Sequence, residues 1–121
     1  MTRSFRPAEH IRKRADFERI YEAGSKRAGR LMTVFTNRTE GDVARIGIGV
    51  SRKLGPAVDR NRAKRLVREV FRHHKPPAGI DVVVVPRRVI LNALYESIEA
   101  EFTGLLGRSV RDGGTPSFRR R

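Results

Sequence analysis

The chain has 121 residues, a length that favours one compact domain with frayed ends and excludes a multidomain enzyme. Its 27 Lys and Arg against 13 Asp and Glu give a formal net charge of +14, which predicts a polyanionic partner, with nucleic acid first and an anionic membrane surface second. Because cysteine is absent, disulfides, thiolate nucleophiles and cysteine-containing zinc sites are excluded, and a cytoplasmic location is expected.

The first third of the chain predicts a basic arm, a short helix and a strand. Residues 1–9 mix arginines with proline and predict an irregular arm before a domain that spans residues 10–107. Helical spacing begins at Asp16 and stops at Gly24, a residue type favoured just after a helix. Residues 31–37 are rich in strand formers and precede a cluster of turn residues, which predicts a hairpin with the next strand.

That returning strand, residues 45–51, points its side chains alternately to two faces. Isoleucine and valine side chains share one face, whereas Gly47 and Gly49 leave the other face almost bare. Glycine weakens a strand interior, so this face predicts a bulge, a tightly packed helix or the close approach of a ligand. The sequence leaves these alternatives open.

The second helix has the clearest periodicity in the chain. It is predicted to begin after Asp59 as its N-cap and to end near His74, ahead of two prolines. Its apolar side chains recur at helical spacing and form one stripe: Ala63, Leu66, Val67, Val70 and Phe71. We therefore expect the helix to bury this stripe against the sheet.

The last third predicts a central strand, a helix and a tail. Residues 80–85 contain four consecutive valines, a run that is typical of a strand covered on both faces or central in a sheet. The run is far short of the ~20 residues that a bilayer requires. A helix from about Val89 is expected to cap the sheet with one apolar face: Leu91, Leu94, Tyr95, Ile98, Phe102 and Leu105. Residues 108–121 lack periodicity and predict a disordered basic tail.

Residues 52–75 are the charge centre of the chain, with nine Lys or Arg and two acids. On a helix, the polar side chains of this segment fan out opposite the apolar stripe: Arg60, Asn61, Lys64, Arg65, Arg68 and Arg72. A merely solvated face normally alternates its charges, whereas here Glu69 is the single acid among the basic side chains. Because a guanidinium binds phosphate through two hydrogen bonds and keeps its charge, this face predicts phosphate contacts.

Patterns for bond-breaking chemistry are weak by comparison. His10, His73 and His74 lack metal-ligand spacing, and the acids are scattered instead of converging on a metal. Gly47 and Gly49 lie within a strand and lack the helix and lysine of a phosphate-binding loop. We therefore expect the chain itself to break no bonds and to bind no metal or cofactor.

Three aromatic residues, Phe17, Tyr21 and Phe35, admit two interpretations. The short first helix could use the first two to dock on the sheet, as amphipathic helices do. Alternatively, all three line a groove beside the bare glycine face and stack on unpaired bases, the usual way in which single-stranded RNA is bound. The residues alone do not decide between these interpretations.

One segment has a family-specific pattern. Residues 57–72 contain the triplet Arg-Asn-Arg, followed by Lys-Arg and then Arg-Glu, and this run resembles the signature of the bacterial ribonuclease P protein component. The resemblance covers residues 10–106 in all. The other matching segments are residues 46–53, Asp16 with Phe17, Gly24, and residues 79–81 with the valines that follow.

The resemblance implies an α/β (α+β) two-layer sandwich with a four-stranded sheet, the element order αβββαβα and a left-handed βαβ crossover. It also implies the protein subunit of ribonuclease P, a ribonucleoprotein endoribonuclease whose catalytic RNA uses Mg²⁺ to remove the 5′ leader of precursor tRNA. The implied partners are this RNA, in a 1:1 complex, and precursor tRNA, with no membrane. The protein alone is not expected to cleave.

The resemblance assigns site residues but no catalytic or metal-binding ones. RNA-binding positions are implied for Arg52, Lys53, Arg60, Asn61, Arg62, Lys64, Arg65, Arg68 and Arg72. Leader-binding positions are implied for Phe17, Tyr21 and Phe35; Tyr21 stands where phenylalanine is frequent, which keeps the stacking surface and adds a hydroxyl. Two other classes stay in view: a general RNA-binding or ribosome-associated module, and a stand-alone basic nuclease. The signature argues against the first and the scattered acids against the second.

Overall fold

A computed structural model describes residues 7–113 of the chain. The helices and strands in this part confirm the order αβββαβα and the α+β class. In chain order they are α1 (Arg14–Ala23), β1 (Ser25–Ala28), β2 (Met32–Arg38), β3 (Arg45–Ile48), α2 (Ala57–His73), β4 (Ile80–Pro86) and α3 (Tyr95–Gly113). None of the described helices is both long enough and apolar enough to cross a membrane.

The four strands form one mixed sheet in the spatial order β1-β2-β4-β3. β2 pairs antiparallel with β1 on one side and with β4 on the other, whereas β3 runs parallel to β4. The valine-rich β4 is therefore central, as its apolar run predicts. The hand of the crossover from β3 through α2 to β4 stays a prediction.

The predicted hairpin between β2 and β3 is wrong, because β4 lies between these two strands. A buried strand must satisfy the hydrogen bonds of both its edges, and β2 and β3 provide its two neighbours. β2 instead forms its hairpin with β1, a strand that the sequence does not predict. β1 reads Ser-Lys-Arg-Ala and alternates between half-buried and exposed positions, so no apolar pattern marks it.

The two faces of the sheet carry cores of very different size. One face packs against α2 and α3 and forms the main core, with Val70 and Phe71 from α2 and Ile98 and Phe102 from α3. The opposite face packs against α1 and the segment just before it. Among the described residues, the buried cluster on that face has three members: Ile11, Ile20 and Val83.

The starts of α1 and α2 differ from the prediction. α2 begins at Ala57, so Asp59 lies in the first helical turn instead of at the N-cap. There the Asp59 carboxylate faces Arg88 at 3.6 Å and places a favourable negative charge at the helix N-terminus. α1 begins at Arg14, two residues before the predicted start, and its predicted end at Gly24 is confirmed.

The last helix begins later and extends further than predicted. Arg88–Asn92 form a separate 3-10 turn, and α3 starts at Tyr95. Leu94 falls in the break between them and is 71% exposed, so its predicted place in the core is wrong. α3 continues to Gly113, which brings residues 108–113 of the predicted tail into the helix; the rest of that tail lies outside the described residues.

The last part of the predicted arm packs on the domain. Pro7–Glu9 form a 3-10 turn, and the buried carboxylate of Glu9 accepts a hydrogen bond from Lys75 Nζ at 2.7 Å. The backbone N–H of Ile11 then donates to the carbonyl of Ile46 at 2.8 Å. This segment therefore lies along the outer edge of β3, while the residues before it lie outside the described part of the chain.

Candidate nucleic-acid interface

The outward half of α2 is a basic surface, as its periodicity predicts. Its inward half buries four of the five stripe residues, and Leu66 is half-buried at the margin. On the outward half, the exposed side chains are Asn61, Arg62, Arg65 and Arg68, and the half-buried ones are Arg60, Lys64 and Arg72. We refer to these seven residues as the α2 basic face.

The centre of the α2 basic face has hydrogen-bond donors that no ion pair uses within the described part of the chain. Within the described part of the chain, Arg62, Lys64 and Arg65 have no ion pair with an acidic side chain. Because an arginine carries five N–H donors in a planar fork, two such guanidinium groups and an ammonium present many donors to solvent. Phosphate oxygens are acceptors that match this arrangement.

The two ends of the α2 basic face are held by contacts inside the protein. Arg60 Nη1 donates to the Gly55 carbonyl at 2.9 Å, and Arg72 Nη2 donates to Glu69 at 2.7 Å. Glu69 also lies 2.9 Å from His73 Nε2. The hydrogen bonds from Arg72 and then His73 hold the pKa of the Glu69 carboxyl below its usual value, so Glu69 stays charged at neutral pH. Arg72 therefore offers fewer donors to a ligand than the central residues do.

Arg52 and Lys53 extend the basic surface ahead of α2. Both side chains are exposed on a 3-10 turn that runs from Arg52 to Leu54. Ser51 caps this turn, since its Oγ accepts a hydrogen bond from the Lys53 N–H at 3.3 Å. Gly55 follows with φ of +145°, a conformation that side chains other than glycine rarely adopt. This turn therefore presents the two cations just before the first residues of α2.

Phe17, Tyr21 and Phe35 come together on the opposite face of the sheet, and we refer to them as the aromatic row. The ring centroids of Phe17 and Tyr21 are 6.3 Å apart, and those of Tyr21 and Phe35 are 5.0 Å apart in an edge-to-face arrangement. Tyr21 is 40% exposed, whereas the two phenylalanines are half-buried. Lys26 Nζ lies 5.9 Å from the centroid of the Phe35 ring, which adds a cation beside the row.

Gly47 of β3 and Gly49 just after it make room for the aromatic row. β3 ends at Ile48 instead of at the predicted residue 51, so Gly49 lies outside the strand. A Cβ on Gly47 would lie 2.7 Å from Phe17 Cζ, and a Cβ on Gly49 would collide with the Tyr21 hydroxyl. Of the alternatives that the sequence leaves open, a tightly packed helix is therefore the one that covers the glycine face. Phe17 and Phe35 also pack on the small buried cluster. The aromatic row therefore helps α1 to pack on the sheet and still leaves part of its ring surface exposed.

A cleft connects the exposed end of the aromatic row with basic side chains. Its lining includes Tyr21, Gly49, Ser51, Lys53, Arg87 and Arg88. Arg87 Nε donates to the carbonyl of Gly29 at 3.0 Å, and Arg88 Nη1 donates to the carbonyl of Leu54. Because Arg88 also faces the first turn of α2, the cleft leads from the aromatic row to the end of α2 where the α2 basic face begins.

Arg87 and Arg88 are candidate RNA contacts that the sequence prediction leaves out. Both side chains are exposed, and both directly follow Pro86, the last residue of the central strand β4. The sequence does contain a signal for them, since two arginines directly follow the predicted central strand. The segment after such a strand lies at the surface, where side chains can bind a ligand. Neither residue belongs to the helix periodicity on which the basic face was predicted.

The hydroxyl of Tyr21 is a hydrogen-bond donor at neutral pH. Burial raises the pKa of Tyr21 above its usual value, so the phenol stays protonated. Its position over Gly49 places this hydroxyl at the mouth of the cleft. The aromatic row therefore offers a polar group as well as ring faces.

The chemistry that these surfaces offer is binding: cations, N–H donors and aromatic faces. Among residues 8–107, whose side chains the structure describes, no three His, Asp or Glu side chains are grouped so as to hold a metal ion. Glu99, one of the acids on α3, is engaged with His74 at 2.6 Å. The predicted site residues thus form two surfaces, the α2 basic face with Arg52 and Lys53, and the aromatic row.

Comparisons with known proteins point to one family. The family model described as Ribonuclease P matches residues 5–110 of the chain. The ribonuclease P protein component of Thermotoga maritima is 42% identical over 90 residues, which cover 73% of this chain and 77% of that protein. The ribonuclease P protein component of Staphylococcus aureus is 47% identical over 83 residues, which cover 67% of this chain and 72% of that protein.

Solved structures give the same result. The RNase P protein of Staphylococcus aureus superposes with a TM-score of 0.73 at 38% identity, over 83% of this chain and 94% of that one. The RNase P protein of Thermotoga maritima superposes with a TM-score of 0.74 at 35% identity, over 83% of this chain and 96% of that one. Both similarities extend over nearly all of the compared structures.

Proposed function

The chain belongs to the ribonuclease P protein component family, and from this premise we propose that it is the protein subunit of a ribonuclease P ribonucleoprotein. It binds the catalytic RNA through the α2 basic face and the single-stranded 5′ leader of precursor tRNA through the aromatic row. The RNA subunit and its Mg²⁺ perform the endonucleolytic cleavage. The observation that carries the proposal is the presence of two different binding surfaces, one cationic and one aromatic, joined by a cleft.

The α2 basic face suits a folded RNA because it binds the backbone and needs no particular base. Arg62, Lys64 and Arg65 point outward without internal ion pairs in the described part of the chain. Each phosphate that such a side chain neutralises releases counterions, and this release makes the affinity large at low salt. The helix supports this use because its other half is locked into the main core.

The aromatic row suits an unpaired strand because only unpaired bases can separate and stack on a ring. Base-on-ring stacking tolerates any sequence, since every base has a π face. Tyr21 is the most exposed ring of the row, and it lies next to the cleft that contains Lys53, Arg87 and Arg88. Bases on the rings and phosphates on these cations are the two contacts that a single strand requires.

In this proposal the protein assists cleavage by lowering charge repulsion. The catalytic RNA and precursor tRNA are both polyanions, and a subunit of net charge +14 between them replaces part of the screening that Mg²⁺ otherwise supplies. The protein contributes no nucleophile to the reaction. Its effect is therefore expected on substrate affinity and on the magnesium concentration that cleavage requires.

The test is a reconstitution with precursor tRNA and three samples: the RNA subunit alone, the protein alone, and both together, each over a series of Mg²⁺ concentrations. We expect no cleavage by the protein alone, and cleavage at the mature 5′ end at lower Mg²⁺ for the complex than for the RNA. Cleavage by rigorously RNA-free protein would indicate a stand-alone nuclease.

The remaining alternative, a general RNA-binding module, predicts a different pattern in the same experiment. Such a module would bind an unrelated structured RNA as tightly as the RNA subunit and would leave the Mg²⁺ requirement unchanged. A filter-binding competition between the two RNAs, run at one salt concentration, separates the cases, because affinities for RNA depend strongly on salt.

A further inference from the structure

An ionic link joins α1 to the centre of the sheet. Asp81 of β4 is fully buried and accepts hydrogen bonds from Arg45 Nε at 2.9 Å and Arg45 Nη2 at 2.6 Å. The third nitrogen of this guanidinium, Nη1, lies 3.7 Å from the carboxylate of Asp16 in the first turn of α1. Asp16 also accepts a hydrogen bond from Arg19 at 2.7 Å.

Arg45 has a fixed orientation in this link. Its two parallel hydrogen bonds to one carboxylate define the plane of the guanidinium, so the free nitrogen points in one direction. The hydrogen bond to Asp81 raises the pKa of Arg45 above its usual value, and the charge is permanent. Asp16 therefore meets a rigid cation attached to the sheet.

The remaining contacts of α1 with the sheet are few. Ile20 is the one residue of this helix that is buried. The first turn has no side-chain cap at Lys13, and Phe17 rests on Gly47 without a Cβ between them. Because Asp16 directly precedes Phe17, the ionic contact to Arg45 lies in the part of the helix that carries this ring.

We propose that Asp16 and Arg45 are positioning residues for the leader cleft: their contact sets the height and angle of α1 over β3, and thereby the spacing of the aromatic row. Arg45 precedes Gly47 by two residues on β3, so both residues lie on the same face of the strand. The cation that contacts Asp16 is therefore next to the glycine on which the Phe17 ring packs. This inference rests on the proposed function, because it assigns a role in leader binding.

The informative variant is Asp16→Asn. Removing Arg45 would leave the fully buried Asp81 carboxylate without its partner and would destabilise the sheet itself. Asp16→Asn keeps the Arg45–Asp81 pair, removes the charge that holds α1, and preserves the size of the side chain. Asp16→Glu is the conservative variant, because it keeps a carboxylate that can still reach Arg45.

Glu18→Gln provides a matched control on the same helix. Glu18 pairs with Arg14 at 3.1 Å on the solvent side, with side-chain exposures of 61% and 91%. Asp16→Asn and Glu18→Gln each remove one negative charge from α1, so they change the general attraction to RNA equally. A difference between them therefore reports the local contacts of Asp16, with Arg45 and with Arg19, and not the net charge.

The experiment measures affinity of the reconstituted ribonucleoprotein for two substrates, a precursor tRNA with a leader of several unpaired nucleotides and the same tRNA without a leader. The leader ratio is the dissociation constant for leaderless tRNA divided by the dissociation constant for the precursor with a leader. We expect Asp16→Asn to lower the leader ratio by about threefold, the size of effect that a partly exposed ion pair supplies. Glu18→Gln and Asp16→Glu are expected to keep the wild-type ratio, and affinity for leaderless tRNA is expected to be the same in Asp16→Asn and Glu18→Gln.

Equal leader ratios in Asp16→Asn and Glu18→Gln would overturn the inference, and so would an equal loss of affinity for both substrates in Asp16→Asn. Those outcomes leave the proposed leader binding intact as long as the wild-type ratio exceeds one. A wild-type ratio of one would overturn leader binding by the aromatic row, and the positioning role with it. Thermal unfolding of each variant verifies that the compared proteins are folded at the assay temperature.

Discussion

On one face of the sheet α2 and α3 together bury side chains completely, whereas on the other face α1 leaves Tyr21 40% exposed. The first face carries the main core, with large side chains such as Phe71 and Phe102. The second has a small buried cluster, and Phe17 and Phe35 are only partly covered beside it. From this difference we expect the well-covered face to supply most of the stability, while the thinly covered face leaves ring surface exposed.

The same division appears within α2. Its inward side chains are buried in the main core, and its outward side chains have few internal partners in the described part of the chain. A surface without internal partners loses little when the domain folds and gains much when an anion binds. Stability and binding can therefore be altered separately by substitutions at neighbouring positions, and the predictions below make use of this.

The largest expected effect is on stability, from Phe71→Ala in the main core. Phe71 is fully buried, and truncation of a buried phenylalanine costs about 3–5 kcal/mol of the free energy of unfolding. Urea unfolding followed by circular dichroism measures this loss. Phe35→Ala on the other face is the comparison, and a loss as large there as in Phe71→Ala would contradict the distinction between the two faces.

The next effect is on binding, from Phe35→Ala in the aromatic row. If a leader base stacks on this ring, its removal costs about 1–3 kcal/mol in affinity for a precursor with a leader and leaves affinity for leaderless tRNA nearly unchanged. The measurement is the affinity of both substrates over a series of leader lengths. If folded Phe35→Ala keeps the leader preference, Phe35 does not contact the leader, and its half-buried ring only packs on the sheet.

A smaller effect is expected from Arg65→Ala on the α2 basic face. Loss of one phosphate contact should reduce the slope of log K against log salt by about 0.7–0.9, with no loss of stability because the side chain is exposed. Arg14→Ala, on α1, removes the same charge elsewhere and should leave the slope unchanged. Equal slopes in the two variants would contradict a phosphate contact at Arg65.

The neighbouring variant Leu66→Ala tests the orientation of α2. Leu66 is half-buried against the main core, so its truncation is expected at the lower end of the range for core leucines, about 2 kcal/mol of the free energy of unfolding. The salt slope of binding should remain that of the wild type. Equal thermal stability of Leu66→Ala and Arg65→Ala would contradict an orientation of α2 in which Leu66 faces the main core and Arg65 faces solvent.

The parts of the fold that the sequence predicts are those with a strong apolar period. The stripe of α2 predicts a helix through its period of 3.6. The valine run of β4 predicts a buried strand because it is short, β-branched and bounded by Gly79 and Pro86. β1 has no such pattern, and its pairing with β2 depends on a neighbour in space. The wrong hairpin has the same origin, since nothing within β2 or β3 encodes that β4 lies between them.

The parts of the candidate site that lie within one periodic helix are predictable from the sequence, and the parts that depend on tertiary packing are not. The α2 basic face follows from periodicity, whereas Arg87 and Arg88 lie in a turn after β4 and join the cleft only through the sheet topology. The sequence shows that one face of β3 is bare, but that Phe17 and Tyr21 fill it depends on the path of α1 across the strand. Local patterns thus predict surfaces, and tertiary packing decides which surfaces meet.

The smallest expected effect comes from Tyr21→Phe, which removes one oxygen atom and keeps the ring. The hydroxyl lies over Gly49 at the mouth of the cleft and is protonated at neutral pH, so it can donate a hydrogen bond to a leader phosphate or base. Loss of one such bond costs about 0.5–1.5 kcal/mol, because solvent replaces the lost partner. We expect weaker binding of the precursor with a leader and unchanged binding of leaderless tRNA. Tyr21→Leu, which removes the ring as well, should cost more than Tyr21→Phe; if the two variants lose the same affinity, the hydroxyl and not the ring carries the contact, and stacking at this position is contradicted.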